Sequence, residues 1–199
     1  MKQPVRWFLC AILVAPVFAQ SSAPVNPRLS LRGLQHQAQR IAEARTNQER
    51  AQAWLALNHE AVKFAEQMNR AFPNTSIRGD KITPPEAQRL SEQASSYGVR
   101  IDFCEPGGDW GANNEGYFKY LELWPDGPDA DLATWMGPLG NQSFCGDFEG
   151  TVEELQEIIR LNRQFIAKFP GSRFASEAKQ RLADAQKMLA REQQTERPH

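Results

Sequence analysis

Two segments of the 199-residue chain repeat one another without a gap, and this repeat limits the possible fold more than any other feature. Residues 120–133, YLELWPDGPDADLA, align with residues 165–178, FIAKFPGSRFASEA, so that Pro125 and Pro170 lie 45 residues apart. In each copy an aromatic residue precedes the proline and alanines follow it. This pattern is typical of stacked helical hairpins, because small residues let two helices cross closely.

A weaker third copy of the turn occurs in AFPNTS, residues 71–76, which shares the aromatic, proline and polar positions. The repeat is therefore expected to begin before the two clear copies. A simpler interpretation stays open, since any two packed helices joined by a proline turn produce a related pattern.

The clearest stretch, residues 163–186, resembles the tetratricopeptide-like repeats of bacterial cell-envelope proteins, such as the Tol-Pal associated coiled-coil protein and the outer-membrane assembly lipoproteins. The resemblance is weaker over 117–136 and only suggestive over 51–76. It implies an adaptor that holds peptides or partner proteins, and no enzymatic activity. The short second helix that ends at Gly137 departs from the family pattern.

Helical signals dominate the rest of the chain between residues 29 and 190. Three capping boxes mark helix starts: Thr46 with Glu49, Thr83 with Glu86, and Thr151 with Glu154. Apolar residues at three- and four-residue steps follow each start. Residues 99–103 alternate as in a strand, but we expect an extended connector there because no second strand is evident. The glycine-rich stretch 104–114 is expected to be a loop.

These patterns predict an all-α fold, a tetratricopeptide-like array of about three helical hairpins with a disulfide-closed, loop-rich insert. Residues 29–190 are expected to form a single helical domain that includes an acidic insert, 101–150. Residues 20–28 are expected to be a disordered linker and residues 191–199 a disordered tail. The composition is that of a globular protein, with 41% hydrophobic and 24% charged residues.

The N-terminal residues 1–19 resemble an export signal. Lys2 and Arg6 precede an apolar run of 13 residues that ends in small residues at Ala19, where we expect cleavage. A bilayer span needs about 20 residues, so a retained anchor is the weaker alternative, and no stable membrane insertion is expected after cleavage. Cys10 lacks the small preceding residues of a lipoprotein signal. The protein is therefore expected to be periplasmic or secreted.

Export leaves Cys104 and Cys145 in the mature chain, and an even pair in an oxidising compartment predicts a disulfide. Closing a loop of 41 residues would stabilise the fold by about 4 kcal/mol in the chain-entropy treatment. A zinc site or a catalytic thiol is disfavoured because no histidine lies near either cysteine in sequence.

The charge is distributed unevenly although the net charge is only -1. Residues 101–154 hold twelve acids and one base, Lys119, whereas 20–100 hold eleven bases and seven acids. This arrangement favours docking of the acidic block on the basic flanks. The flanks lack a clustered basic face with interleaved aromatics, so no nucleic-acid partner is expected.

The acidic block also contains most of the candidate binding residues. Trp110 lies in the glycine-rich stretch, and we predict that Trp110 and Trp135 reach the surface with Glu105 and Asp109 to bind a protein or peptide. Trp124 ends a helix and is predicted to be core. The alternative is a glycan-binding or glycan-cleaving protein, with Glu105 and either Asp109 or Glu115 as the catalytic pair. No motif for a metal, cofactor or nucleophile is present, so neither catalysis nor a cofactor is expected.

Overall fold

The computed structural model describes residues 29–72, 84–104, 108–140 and 150–195. These ranges contain seven helices and two strands: α1 (Arg32–Glu43), α2 (Asn47–Ala71), α3 (Pro85–Ser95), β1 (Ile101–Cys104), β2 (Asp109–Ala112), α4 (Glu115–Leu123), α5 (Ala130–Met136), α6 (Val152–Lys168) and α7 (Ala175–Thr195). The predicted signal peptide and linker lie outside the described residues. α7 continues to Thr195, so the tail predicted from 191 is helical at its start.

Two of the predicted capping boxes are confirmed. At the start of α2, the Thr46 hydroxyl accepts a hydrogen bond from the Glu49 amide, and the Glu49 carboxylate accepts one from the Thr46 amide, both at 3.1 Å. Thr151 and Glu154 make the same pair of bonds at α6, at 3.2 and 3.0 Å. α3 instead begins behind Pro84 without a side-chain cap, and Thr83 lies outside the described residues.

The predicted connector and part of the predicted loop are wrong, because they form a β-hairpin. β1 pairs antiparallel with β2, with Ile101 opposite Ala112 and Cys104 opposite Asp109. The second strand is held from outside the hairpin by Asn69 of α2. Its side-chain oxygen accepts from the Trp110 amide at 2.6 Å, and its nitrogen donates to the Trp110 carbonyl at 3.0 Å. One side chain thus supplies the hydrogen bonds of a neighbouring strand.

The apolar core is a series of four clusters that follow one another along the chain. The first joins α1, α2, α3 and the β-hairpin, and the second joins α2, α4 and α5. The third joins the end of α5 to α6 and α7, and the fourth lies between α6 and α7 alone. Such a sequence of local cores is expected for stacked helical units.

No helix in the described part of the chain has the length and apolar character needed to cross a bilayer. The mostly helical fold agrees with the sequence prediction, and the β-hairpin is its main departure.

Candidate functional site

The two copies of the sequence repeat make the same backbone hydrogen bonds. Trp124 and Phe169 each end a helix, and their amides donate to the carbonyls of Tyr120 and Phe165, both at 2.8 Å. The turns that follow contain matching backbone hydrogen bonds, again 45 residues apart. The amides of Gly127 and Ser172 donate to the carbonyls of Trp124 and Phe169 at 3.1 Å. The amides of Ala130 and Ala175 donate to the carbonyls of Gly127 and Ser172 at 3.0 Å. The two hairpins α4–α5 and α6–α7 therefore share one turn geometry.

The third, weaker copy has the same helix ending. Phe72 closes α2 with φ −124° and ψ 57°, and its amide donates to the Met68 carbonyl at 2.8 Å. The values at Phe169 are −128° and 59°. The aromatic residue before the proline thus adopts one conformation in both places, whereas the turn that begins at Pro73 lies outside the described residues.

Side chains of the last hairpin contact the preceding turn directly. Lys168 donates to the Pro125 carbonyl at 3.0 Å and pairs with the Asp126 carboxylate at 3.1 Å. The Ser172 hydroxyl donates to the Asp131 carboxylate at 2.6 Å. The acidic block is therefore docked on the basic C-terminal flank through at least one ion pair, as the charge pattern predicts.

On its other side, the acidic block contacts α2. Asp129 occupies the N-cap position of α5, but its side chain makes no capping bond and instead accepts from Gln52 of α2 at 2.9 Å. Deeper in the interface, the Gly116 amide donates to the buried Asn58 side chain at 2.9 Å. These neutral donors, rather than ion pairs, attach α4 and α5 to α2.

A cleft of about 530 Å³ opens where the α1–α2 corner meets the turn after α4. We call it the corner cleft; its lining is Arg40, Glu43, Ala44, Arg45, Gln48, Glu49, Gln52, Ala53 and Trp124. Trp124 is half-buried, so the prediction that it is purely a core residue is only partly right. Trp124 packs against the second cluster, with its ring centroid 6.2 Å from that of Tyr120, and the same residue lines the cleft.

The corner cleft holds both signs of charge, but its two carboxylates are already hydrogen-bonded. Glu49 accepts from the amides of Arg45 and Thr46, and these bonds lower the pKa of its carboxyl group. Glu43 accepts from Gln39 at 2.7 Å. Within the described residues, the exposed guanidinium of Arg45 donates no hydrogen bond. The cleft thus combines the Trp124 side chain with the guanidinium of Arg45, whose charge also helps to lower the pKa of Glu49, and this combination suits an apolar group next to a carboxylate or carbonyl.

The prediction that Trp110 and Trp135 are exposed is wrong. Trp110 is 5% exposed, because it lies on strand β2 and packs against Phe103 with ring centroids 5.4 Å apart. Trp135 is 6% exposed and belongs to the third cluster. It stacks on Phe174 at 5.2 Å, and the Arg181 guanidinium lies 4.2 Å from its ring. The two indoles therefore belong to different clusters and do not form a common surface.

The remaining predicted site residues are tested only in part. Asp109 is exposed at the start of β2, opposite the buried Cys104. Glu105 and Cys145 lie outside the described residues, so the acid pair and the disulfide stay predictions. The described residues contain no group of three or more His, Cys, Asp or Glu side chains that could hold a metal ion.

Comparison with known families identifies one match. Residues 113–195 match the family described as YfiO: Outer membrane lipoprotein. The chain is similar to that family. The matched region begins just before α4 and ends with α7, so it contains both clear copies of the repeat and agrees with the resemblance of residues 163–186. No curated protein and no solved structure matches the chain.

Sequence reasoning missed the corner cleft because its residues come from separate parts of the chain. Arg45 lies just before the capping box and Gln48 lies within it, where polar residues are expected whether or not a site is present. In the sequence, Trp124 is recognisable only as an aromatic residue that ends a helix, and that position alone predicts burial. Only the packing of α4 on α2 brings Trp124 into the same lining as Arg40 and Arg45.

Proposed function

We propose that this protein is an exported adaptor of the bacterial cell envelope that binds a protein or peptide partner. The repeated turn geometry of α4–α5 and α6–α7 supports this function, as does the similarity of residues 113–195 to an outer-membrane lipoprotein family. The proposal includes removal of residues 1–19 after export, a location in the periplasm or outside the cell, and no catalytic role.

The proposed binding site is the corner cleft, and the observation that carries it is that the half-buried Trp124 and the exposed Arg45 line the same cleft. An indole that is held on one side by its own core can accept a partner side chain on the other with little loss of conformational freedom. Arg45 would then pair with a carboxylate or main-chain carbonyl of the same partner segment.

The earlier candidates Trp110 and Trp135 take a different place in this proposal. Direct contact with a partner would require each indole to leave its cluster, so we assign them to the support of the fold. Asp109 and Glu105 remain candidate contacts for a larger partner, together with the β-hairpin that carries Asp109. We also propose a Cys104–Cys145 disulfide that ties this hairpin to the segment before α6.

Site-specific photo-crosslinking in native envelopes tests the corner cleft. A photoreactive amino acid at Gln48, inside the cleft, should give a discrete crosslinked partner. The same amino acid at Gln93, exposed on α3, is the matched control and should not give that product.

A charge reversal then tests the chemistry of the contact. Arg45→Glu should remove the Gln48 crosslink, because a negative side chain would oppose a partner carboxylate and cannot donate to a carbonyl. Arg89→Glu, on the exposed face of α3, should leave the crosslink intact. Identical products from Gln48 and Gln93, or an unchanged product in Arg45→Glu, would show that the corner cleft is not the site.

A further inference from the structure

A second cleft lies on the last hairpin, far along the chain from the corner cleft and sharing no residue with it. It has a volume of about 520 Å³ and runs between the middle of α6 and the last half of α7. We call it the α6–α7 groove; its lining is Gln156, Ile159, Arg160, Arg163, Gln164, Gln186, Leu189, Ala190 and Gln193.

The floor of the α6–α7 groove is apolar and continues the fourth cluster. Ile159 is 8% exposed and Leu189 is partly buried, and both belong to the cluster that holds α6 against α7. The exposed Ala190 has the smallest side chain of the lining and leaves room above this floor. An apolar side chain placed here would therefore extend an existing core.

The rim of the α6–α7 groove is polar and carries positive charge. Four glutamines and two arginines surround the floor, and none of the described residues in the lining is acidic. Arg160 is already paired with Glu157, whereas the exposed Arg163 has no ion-pair partner within the described residues. The corner cleft includes Glu43 and Glu49 in its lining, and a third cleft, of about 380 Å³ and lined by the two repeated turns, includes Asp131. The α6–α7 groove is thus the one among these three that favours an acidic occupant.

The positions of the lining residues indicate which kind of partner segment the groove can bind. The contributing positions of α7 are 186, 189, 190 and 193, which form one helical face about two turns long. The lining consists of helix side chains and offers no strand edge, so strand addition is disfavoured and the helix-in-groove mode of recognition fits better.

We propose that the α6–α7 groove binds an acidic amphipathic helix of a partner protein. Aliphatic side chains of that helix would lie on Ile159 and Leu189, and its flanking carboxylates would meet Arg163 and the glutamine amides. The inference goes beyond the adaptor function proposed above, because it adds a second surface and states the chemistry of its partner.

Two synthetic helical peptides test the proposal. Both carry leucines on one face; one has glutamates on the flanks and the other has lysines. Fluorescence anisotropy with the full mature chain should show binding of the glutamate peptide that weakens as salt is added, and much weaker binding of the lysine peptide.

Substitutions in the chain locate the site of binding. Ala190→Trp should fill the groove and weaken binding of the glutamate peptide by about tenfold or more, equivalent to about 1.4 kcal/mol. Met188→Trp is the matched control, because Met188 is 39% exposed on the same helix and does not line the groove. Arg163→Glu should weaken binding similarly, and Arg89→Glu on α3 should not. Circular dichroism of each variant confirms that it is folded.

Three results would overturn the proposal: equal binding of the two peptides, no binding of either, or equal binding by wild type and Ala190→Trp. Vesicles containing phosphatidylglycerol provide a separate comparison. If Arg163→Glu abolishes binding to those vesicles while Ala190→Trp has no effect on the peptide, the arginines serve an anionic surface and the helix proposal is wrong. Because the corner cleft is tested by crosslinking at Gln48, either proposal can fail without the other.

Discussion

At the scale of single residues, two glycines in the repeated turns have very different surroundings. A Cβ atom on Gly127 would lie 2.6 Å from Trp124 Cδ2 and would also collide with the Tyr120 hydroxyl. A Cβ atom on Gly171 would meet nothing within 4 Å. The first turn therefore depends on glycine for close packing under the aromatic residues, and the second does not.

We expect Gly127→Ala to lower the free energy of unfolding by about 1–3 kcal/mol, since the two aromatic side chains must shift to admit the methyl group. Gly171→Ala is the control and should change it by less than about 0.5 kcal/mol. Urea denaturation of both variants measures the difference. Similar losses in both would mean that the turn does not hold Tyr120 and Trp124 in the positions described.

At the scale of secondary-structure elements, the β-hairpin shows why part of the fold could not be derived from the sequence. The alternation of Val99, Ile101 and Phe103 indicates a strand, but DWGA, residues 109–112, has little strand character of its own. Its Trp110 backbone is bonded to Asn69, 41 residues away, and no local pattern reveals those bonds. The helix starts at Thr46 and Thr151, by contrast, are set by residues three positions apart and were predicted correctly.

The dependence of β2 on Asn69 gives a prediction for this element. Asn69→Leu should lower the free energy of unfolding by about 1–3 kcal/mol, because the amide and carbonyl of Trp110 lose their partners. Hydrogen exchange of the Trp110 amide should accelerate as well, since that amide donates to Asn69. Glu66→Leu, exposed on the same helix, is the control and should leave this exchange rate unchanged. An unaltered rate in Asn69→Leu would show that the hairpin is held by its apolar contacts alone.

At the scale of the whole molecule, the sequence predicted the helical hairpins and their repeat but placed Trp110 and Trp135 at the surface, whereas the structure buries both. The repeat could be found because its turn bonds lie within a few residues of each proline. Trp110 and Trp135 could not be assigned to the core in the same way, because their contacts come from α2 and from α6–α7. An aromatic residue in a glycine-rich stretch has the same local sequence whether a strand buries it or a loop exposes it.

Trp135 is the central side chain of the junction between the two repeated hairpins. It lies at the end of α5 and packs against Phe165 of α6, at 5.5 Å, and against Phe174 before α7. The polar links Lys168–Asp126 and Ser172–Asp131 lie at the same junction but are partly open to solvent. Exposed ion pairs contribute little to stability, so most of the coupling between the hairpins is expected to come from the indole.

Trp135→Ala should therefore destabilise the protein by about 3–5 kcal/mol and uncouple the last hairpin from the rest. Hydrogen exchange should then become faster throughout α6 and α7 than in α2, because units that touch only their neighbours open separately when one interface is lost. Phe118→Ala is the matched control, since Phe118 is 40% exposed and its loss should cost less than about 1 kcal/mol. If Trp135→Ala kept the wild-type stability and the same exchange pattern, the indole would be a surface residue, as the sequence alone predicts, and the junction would be held by its polar links.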